Sequence, residues 1–121
     1  MSLTAVQADL SLHHLEIQSG NPESLANFYS KIMDMKINKL SPEKFLCDGP
    51  ARKIIITLGE NKTLSNAGMV CRSENNLNRF KEFLDQKELK LKEHNSEFYK
   101  AGSFSVQDPD NNVICFGVLK D

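Results

Sequence analysis

The sequence predicts an α+β fold built from two βαβββ units. Three observations carry this: two capped amphipathic helices, β-branched or alternating strand segments around each, and the same order of elements in both halves. At 121 residues the chain fits one compact domain that needs no disulfide framework. The domain is expected over residues 11–119, with modules at about 11–60 and 66–119 and an N-terminal extension at 1–10.

Leu12 to Gln18 alternates, with His13, Leu15 and Ile17 on one face and Leu12, His14, Glu16 and Gln18 on the other. The first of these faces is expected to pack on the helix. Asn21 can cap the first helix and Pro22 suits its first turn. Leu25, Phe28, Tyr29 and Ile32 then form its apolar face, and the helix ends near Asp34. Met35–Leu40, Phe45–Asp48 and the β-branched run Lys53–Leu58 complete the first unit, and the polar stretch Gly59–Asn66 is the expected boundary.

Gly68–Arg72 opens the second half. A helix capped by Ser73 or Asn75 follows, with Leu77, Phe80 and Leu84 inward and an end near Glu88. Leu89–His94, Ser103–Gln107 and Val113–Leu119 are its further strands. Asp108-Pro109-Asp110-Asn111-Asn112 has the composition of a hairpin turn, so Asp108 and Asp110 are turn residues rather than catalytic acids. Leu25-x-x-Phe28 and Leu77-x-x-Phe80 hold matching places in the two halves. Each unit would leave one sheet face uncovered by its helix, to be filled by a ligand, a partner chain or its own side chains. A ferredoxin-like sandwich with an extra hairpin is the alternative fold.

Composition narrows the function. A net charge of -1 supplies no basic field for nucleic acid or anionic lipid. Residues 1–10 lack the charge and apolar core of a signal peptide, and no apolar run approaches a membrane span, so a cytoplasmic protein is expected. Cys47, Cys71 and Cys115 are far apart, lack a CxxC pair and are expected as buried free thiols. No phosphate loop, nucleophile elbow or paired-carboxylate motif is present. Ile114 and Phe116 give Cys115 no neighbouring cation to activate it as a nucleophile. No catalytic residue is assigned.

The segment from Leu12 through Ile17, the helix containing Phe28-Tyr29, the turn Ile32–Lys36 and the closing segment Phe104–Ile114 together resemble the vicinal oxygen chelate superfamily. This superfamily holds glyoxalases, bleomycin-resistance proteins and extradiol dioxygenases. The resemblance covers about residues 11–119. It implies paired modules forming a U-shaped mixed sheet with helices on the outer face, commonly in a homodimer, and a divalent metal in the cleft. It places His14 on the first ligand position. The carboxylate position of the first module falls in Ile54-Ile55-Ile56-Thr57, the His position of the second falls on Ala67 or Gly68, and the final Glu position is Cys115.

Because one ligand position of the implied set is kept, the expected protein has a degenerate metal site and binds a small, planar or aromatic molecule without a cofactor. His14, Glu16, Gln18, Phe45, Phe98, Tyr99 and Cys115 are the candidate ligand-binding residues. Any metal would use His14, Glu16 and Cys115, a set that suits zinc or copper. His13 and His94 are expected to be structural. The alternative is a metal-dependent lyase or ring-cleaving dioxygenase resembling the dihydroxybiphenyl dioxygenases, with a rearranged ligand set. A scaffold that only dimerises would fill the cleft with its own side chains.

Overall fold

A computed structural model describes residues 2–50, 53–60 and 63–120. Along the chain lie β1 (Ser11–Ser19), α1 (Pro22–Met33), β2 (Lys36–Ser41), β3 (Lys44–Asp48), β4 (Lys53–Leu58), β5 (Thr63–Val70), α2 (Glu74–Gln86), β6 (Lys92–Glu93), β7 (Phe104–Gln107) and β8 (Val113–Gly117). This is the α+β pattern of two βαβββ modules. Among the described residues no helix is long and apolar enough to cross a membrane.

The chain divides into two compact units: residues 13–67, and the residues up to Leu12 together with those from Gly68 onward. The extension expected at 1–10 therefore belongs to the second unit. Leu3, Ala8 and Leu10 join its core, and the Cys71 thiol donates to the Ala8 carbonyl at 3.5 Å. The expected boundary at Gly59–Asn66 is partly strand, since β5 begins at Thr63 and runs through the division. Asn61 and Lys62, inside that boundary, lie outside the described residues.

In the first unit the strand order is β2-β3-β4-β1. β1 lies parallel to β4, as a crossover through a helix requires, while β2–β3 and β3–β4 are antiparallel. The Asn21 side chain accepts from Ser24 N at 3.2 Å and starts α1, and Asp34 ends it in the left-handed region at φ 54°. Ala26, Met35, Phe45, Cys47 and Ile56 form the core, with Ile17, Leu25, Tyr29, Ile37 and Ile54 against it. The expected helix face needs correction. Phe28 and Ile32 are 56% and 65% exposed, whereas Pro22 and Ala26 are buried. The small Ala26 side chain is the one seated in the core, which turns Phe28 and Ile32 outward.

The second unit has the order β5-β8-β7-β6. Ser73 caps α2 by accepting from Asn76 N at 3.1 Å, and Leu77, Phe80 and Leu84 are buried as their spacing predicts. Phe80, Phe104 and Phe116 pack as a ring cluster with centroids 5.0 to 6.4 Å apart, within the range of favourable edge and offset contacts. The strand expected over Leu89–His94 shortens to Lys92–Glu93. The β7–β8 hairpin forms as expected: Asn111 takes φ 69°, and the Asp108 carboxylate accepts from Asp110 N and Asn112 N, each at 2.9 Å. These bonds hold the Asp108 carboxyl below its ordinary value, the Asn112 backbone N–H contributing most.

Candidate functional site

Strand register decides which side chains share the face away from each helix. In the first unit Ile54 and Ile56 face α1, so Lys53, Ile55 and Thr57 face the other way. Their β1 partners are His14, Glu16 and Gln18, and their β3 partners are Asp48, Leu46 and Lys44. The three β1 residues expected on this face are therefore together, in rows that the chain order does not reveal. This face is not bare: His14 is 3% exposed and Ile55 is 1% exposed.

Lys53 makes an ion pair with Asp48 in the row that also holds His14. His14 Nδ1 lies 2.9 Å from His13 Nδ1 with the rings edge to face, so one ring donates and the other accepts. Burial first, and then the Lys53 ammonium, push the His13 imidazole below its ordinary value, opposed by Asp48. In the next row the Glu16 carboxylate lies 4.0 Å from Lys44 Nζ and accepts from Asn66 Nδ2 at 3.4 Å. Asn66 Oδ1 is buried and has no hydrogen-bond partner. Gln18 serves a turn, its carbonyl accepting from Glu60 N at 3.2 Å while Gly59 packs against the same side chain.

Phe45, expected on a cleft wall, is instead in the helix-side core. Its position on β3 has the parity of Cys47, and it is buried among Ala26, Met35 and Ile56. That places it behind the sheet from His14 and Glu16.

In the second unit Phe104, Val106, Ile114 and Phe116 pack toward α2, so Ser105, Val113, Cys115 and Gly117 face away. His94 meets Cys115 on that side, with Nδ1 3.5 Å from Sγ. Tyr99 lies over Gly117 so closely that a Cβ there would stand 2.4 Å from the ring. Its hydroxyl donates to the Met69 carbonyl at 2.9 Å, and its ring meets His94 edge-on at 6.1 Å. Burial and the neighbouring Cys115 push the phenol up. Phe98 is half-buried, and its carbonyl accepts from Lys120 N at 2.8 Å. With Lys100 N donating to the Val118 carbonyl, residues 98–100 lie as a strap along the end of β8.

His94, expected to be structural, lies beside Cys115. Its position depends on Ser103, which accepts from His94 N at 3.1 Å and donates its hydroxyl to the His94 carbonyl. Nothing in the local sequence marks that pairing. Lys53, Asp48 and Asn66, which join His14 and Glu16 through strand register and a side-chain hydrogen bond, were not among the expected site residues.

The superfamily typically binds a divalent metal, and the residues here do not fit one. The face of β4 away from α1 carries Lys53, Ile55 and Thr57 where the resemblance implies a carboxylate. An ammonium in the row of His14 opposes a cation, and His14 shares one nitrogen with His13. Among the described residues, no group of three or more His, Cys, Asp or Glu side chains is placed to hold a metal ion.

Comparison with known proteins places the fold. The sequence profile of the Glyoxalase/Bleomycin resistance protein/Dioxygenase superfamily matches residues 11–116. No protein of curated function matches the sequence significantly. Among solved structures, a catechol 2,3-dioxygenase superposes with a TM-score of 0.76 at 16% identity, over 88% of this chain and 38% of its own. Homoprotocatechuate 2,3-dioxygenase from Arthrobacter globiformis gives 0.74 at 11% identity, over 91% and 36%. An extradiol ring-cleaving dioxygenase from B. fuscum gives 0.74 at 12% identity, over 91% and 32%. This chain thus spans roughly a third of the length of these enzymes, and at such identities the likeness is one of fold. With the profile covering most of the sequence, the chain belongs to the glyoxalase, bleomycin resistance protein and dioxygenase superfamily.

Proposed function

We propose that the protein binds a small planar molecule beside Glu16 and Asn66 of its first unit, without a divalent metal. The observation that carries this reading is Asn66 Oδ1, a buried acceptor with no partner, beside the Glu16 carboxylate. An unmet buried acceptor costs about 1–3 kcal/mol, and a ligand hydroxyl or amino group would relieve it. Glu16 supplies a second acceptor, and His14 supplies a polar neighbour on the same strand face. The ligand class is therefore an aromatic or other planar body carrying a hydrogen-bond donor.

Titration calorimetry with catechol, phenol and their methyl ethers, in excess chelator, tests this. Catechol or phenol is expected to bind, the ethers to bind at least about tenfold more weakly, and Asn66→Leu or Glu16→Gln to abolish the difference. Binding that needs iron, manganese, nickel or zinc in near-stoichiometric amount and disappears in His14→Ala would replace this reading with a ring-cleaving dioxygenase or lyase.

The reading includes a homodimer. The exposed Phe28 and Ile32 on α1 support it as apolar surface open to a second copy. Sedimentation of the wild type and of Phe28→Glu measures it, and a monomeric wild type removes it.

A further inference from the structure

We infer that His94 and Cys115 form a two-ligand site for a soft monovalent cation, of which Cu(I) is the representative. The site lies in the second unit and shares no residue with the ligand face proposed above. Each inference can therefore fail without the other.

A thiolate and a neutral imidazole are the donors that a soft copper ion selects. Here they already face each other, Nδ1 3.5 Å from Sγ. Typical metal bonds of about 2.3 Å to sulfur and about 2.0 Å to nitrogen make that separation the span of a bent bridge. Straightening it needs a movement of less than about 1 Å by the His94 ring. Ser103 fixes the His94 backbone from both sides, and Tyr99, tied to the Met69 carbonyl, stands at the ring edge. The pair is thus held within the unit rather than on a loose side chain.

Charge selects the ion. In the resting pair the thiol proton can lie toward Nδ1, and an imidazole binds a metal ion through a neutral ring nitrogen. A monovalent cation takes the place of that proton: the S–H bond breaks, bonds from the cation to Sγ and Nδ1 form, and one proton leaves to solvent. No electron is transferred. Cation, thiolate and imidazole sum to zero, which suits a thiol that is 0% exposed. A divalent ion would leave a buried positive charge and would want about four ligands. Among the described residues no third His, Cys, Asp or Glu completes such a set.

The test is an anaerobic Cu(I) titration of the whole chain against bicinchoninate, with copper-edge X-ray absorption on the loaded protein. About one Cu(I) per chain is expected, bound through one sulfur and one nitrogen. Affinity should fall at least about tenfold in His94→Ala, and binding should be lost in Cys115→Ser. Cys47→Ala and Cys71→Ala should bind as the wild type does. Cys115→Ala, which keeps the buried position apolar, serves if the serine variant does not fold. Unchanged affinity in a folded His94→Ala, or loss of copper in either of the other cysteine variants, overturns the assignment.

Discussion

The two units share an order of elements and differ in what they do with the sheet face that their helix leaves uncovered. The first places charges there: Lys53 with Asp48, Glu16 near Lys44, and His14 in the row between β1 and β4. The second covers its own face, laying Tyr99 over Gly117 and running residues 98–100 along the end of β8. The helices differ in the opposite sense, since α2 buries Leu77, Phe80 and Leu84 while α1 leaves Phe28 and Ile32 outside. A duplicated architecture thus constrains the helix-side cores and leaves the other faces free to diverge, which is where function separates from fold.

The sharpest way to break this comparison is to empty one core at a time. Phe104→Ala in the second unit and Phe45→Ala in the first should each cost about 3–5 kcal/mol, as buried phenylalanine truncations do. Hydrogen exchange should show protection lost first in the unit that carries the substitution; equal loss in both would show that the cores are not separate.

The two close-packed glycines come next. A Cβ on Gly117 meets the Tyr99 ring, so Gly117→Ala should cost about 1–3 kcal/mol by overpacking. At Gly59 the obstacle includes the movable end of Gln18. Gly59→Ala should therefore lower the urea midpoint less, and reversal of that order would undo the account of Tyr99 as a tightly seated cover. Tyr99→Phe removes the bond to the Met69 carbonyl and should cost about 1–2 kcal/mol in the same titration.

Both helices begin on a side-chain cap, so Asn21→Ala and Ser73→Ala should each lower stability by about 1 kcal/mol. A cost at one helix only would show that the two starts are not equivalent.

The mildest expected effect is on pH. His13 and His94 lie one in each unit, and burial lowers both below the ordinary value of 6.5. The folded state then binds fewer protons than the unfolded state around that pH. Stability is fully present above 6.5 and is lost as pH falls from there through the lowered folded values. Thermal midpoints should rise between about pH 5 and pH 7, the range in which unperturbed histidine changes charge. His94→Asn should flatten the second unit's share and His13→Asn the first unit's. A slope unchanged in both variants would assign it elsewhere.

Much of the architecture was legible because local chemistry carried it. Asn21 and Ser73 marked helix starts by offering oxygens to unpaired backbone N–H groups, and Asp108 to Asn112 marked a hairpin by turn chemistry. The alternation of Leu12 to Gln18 assigned His14 and Glu16 to one face correctly. Phe45 was misplaced because a short strand gives little periodic signal, and its face follows only from pairing with Ile56 across β4. Phe28 and Ile32 were misplaced because several rotations of one amphipathic helix satisfy the same spacing, and packing around Ala26 chose among them.

By itself the sequence determined the superfamily, the paired βαβββ order and the absence of a carboxylate from the strand where the resemblance implies one, because caps, periodicity and residue identity are local properties. Tertiary structure alone decided which side chains meet: Lys53 in the row of His14, Asn66 against Glu16, and His94 against Cys115. Those meetings depend on strand register and on where a loop crosses a sheet, and both are set by long-range pairing that no stretch of neighbouring residues encodes.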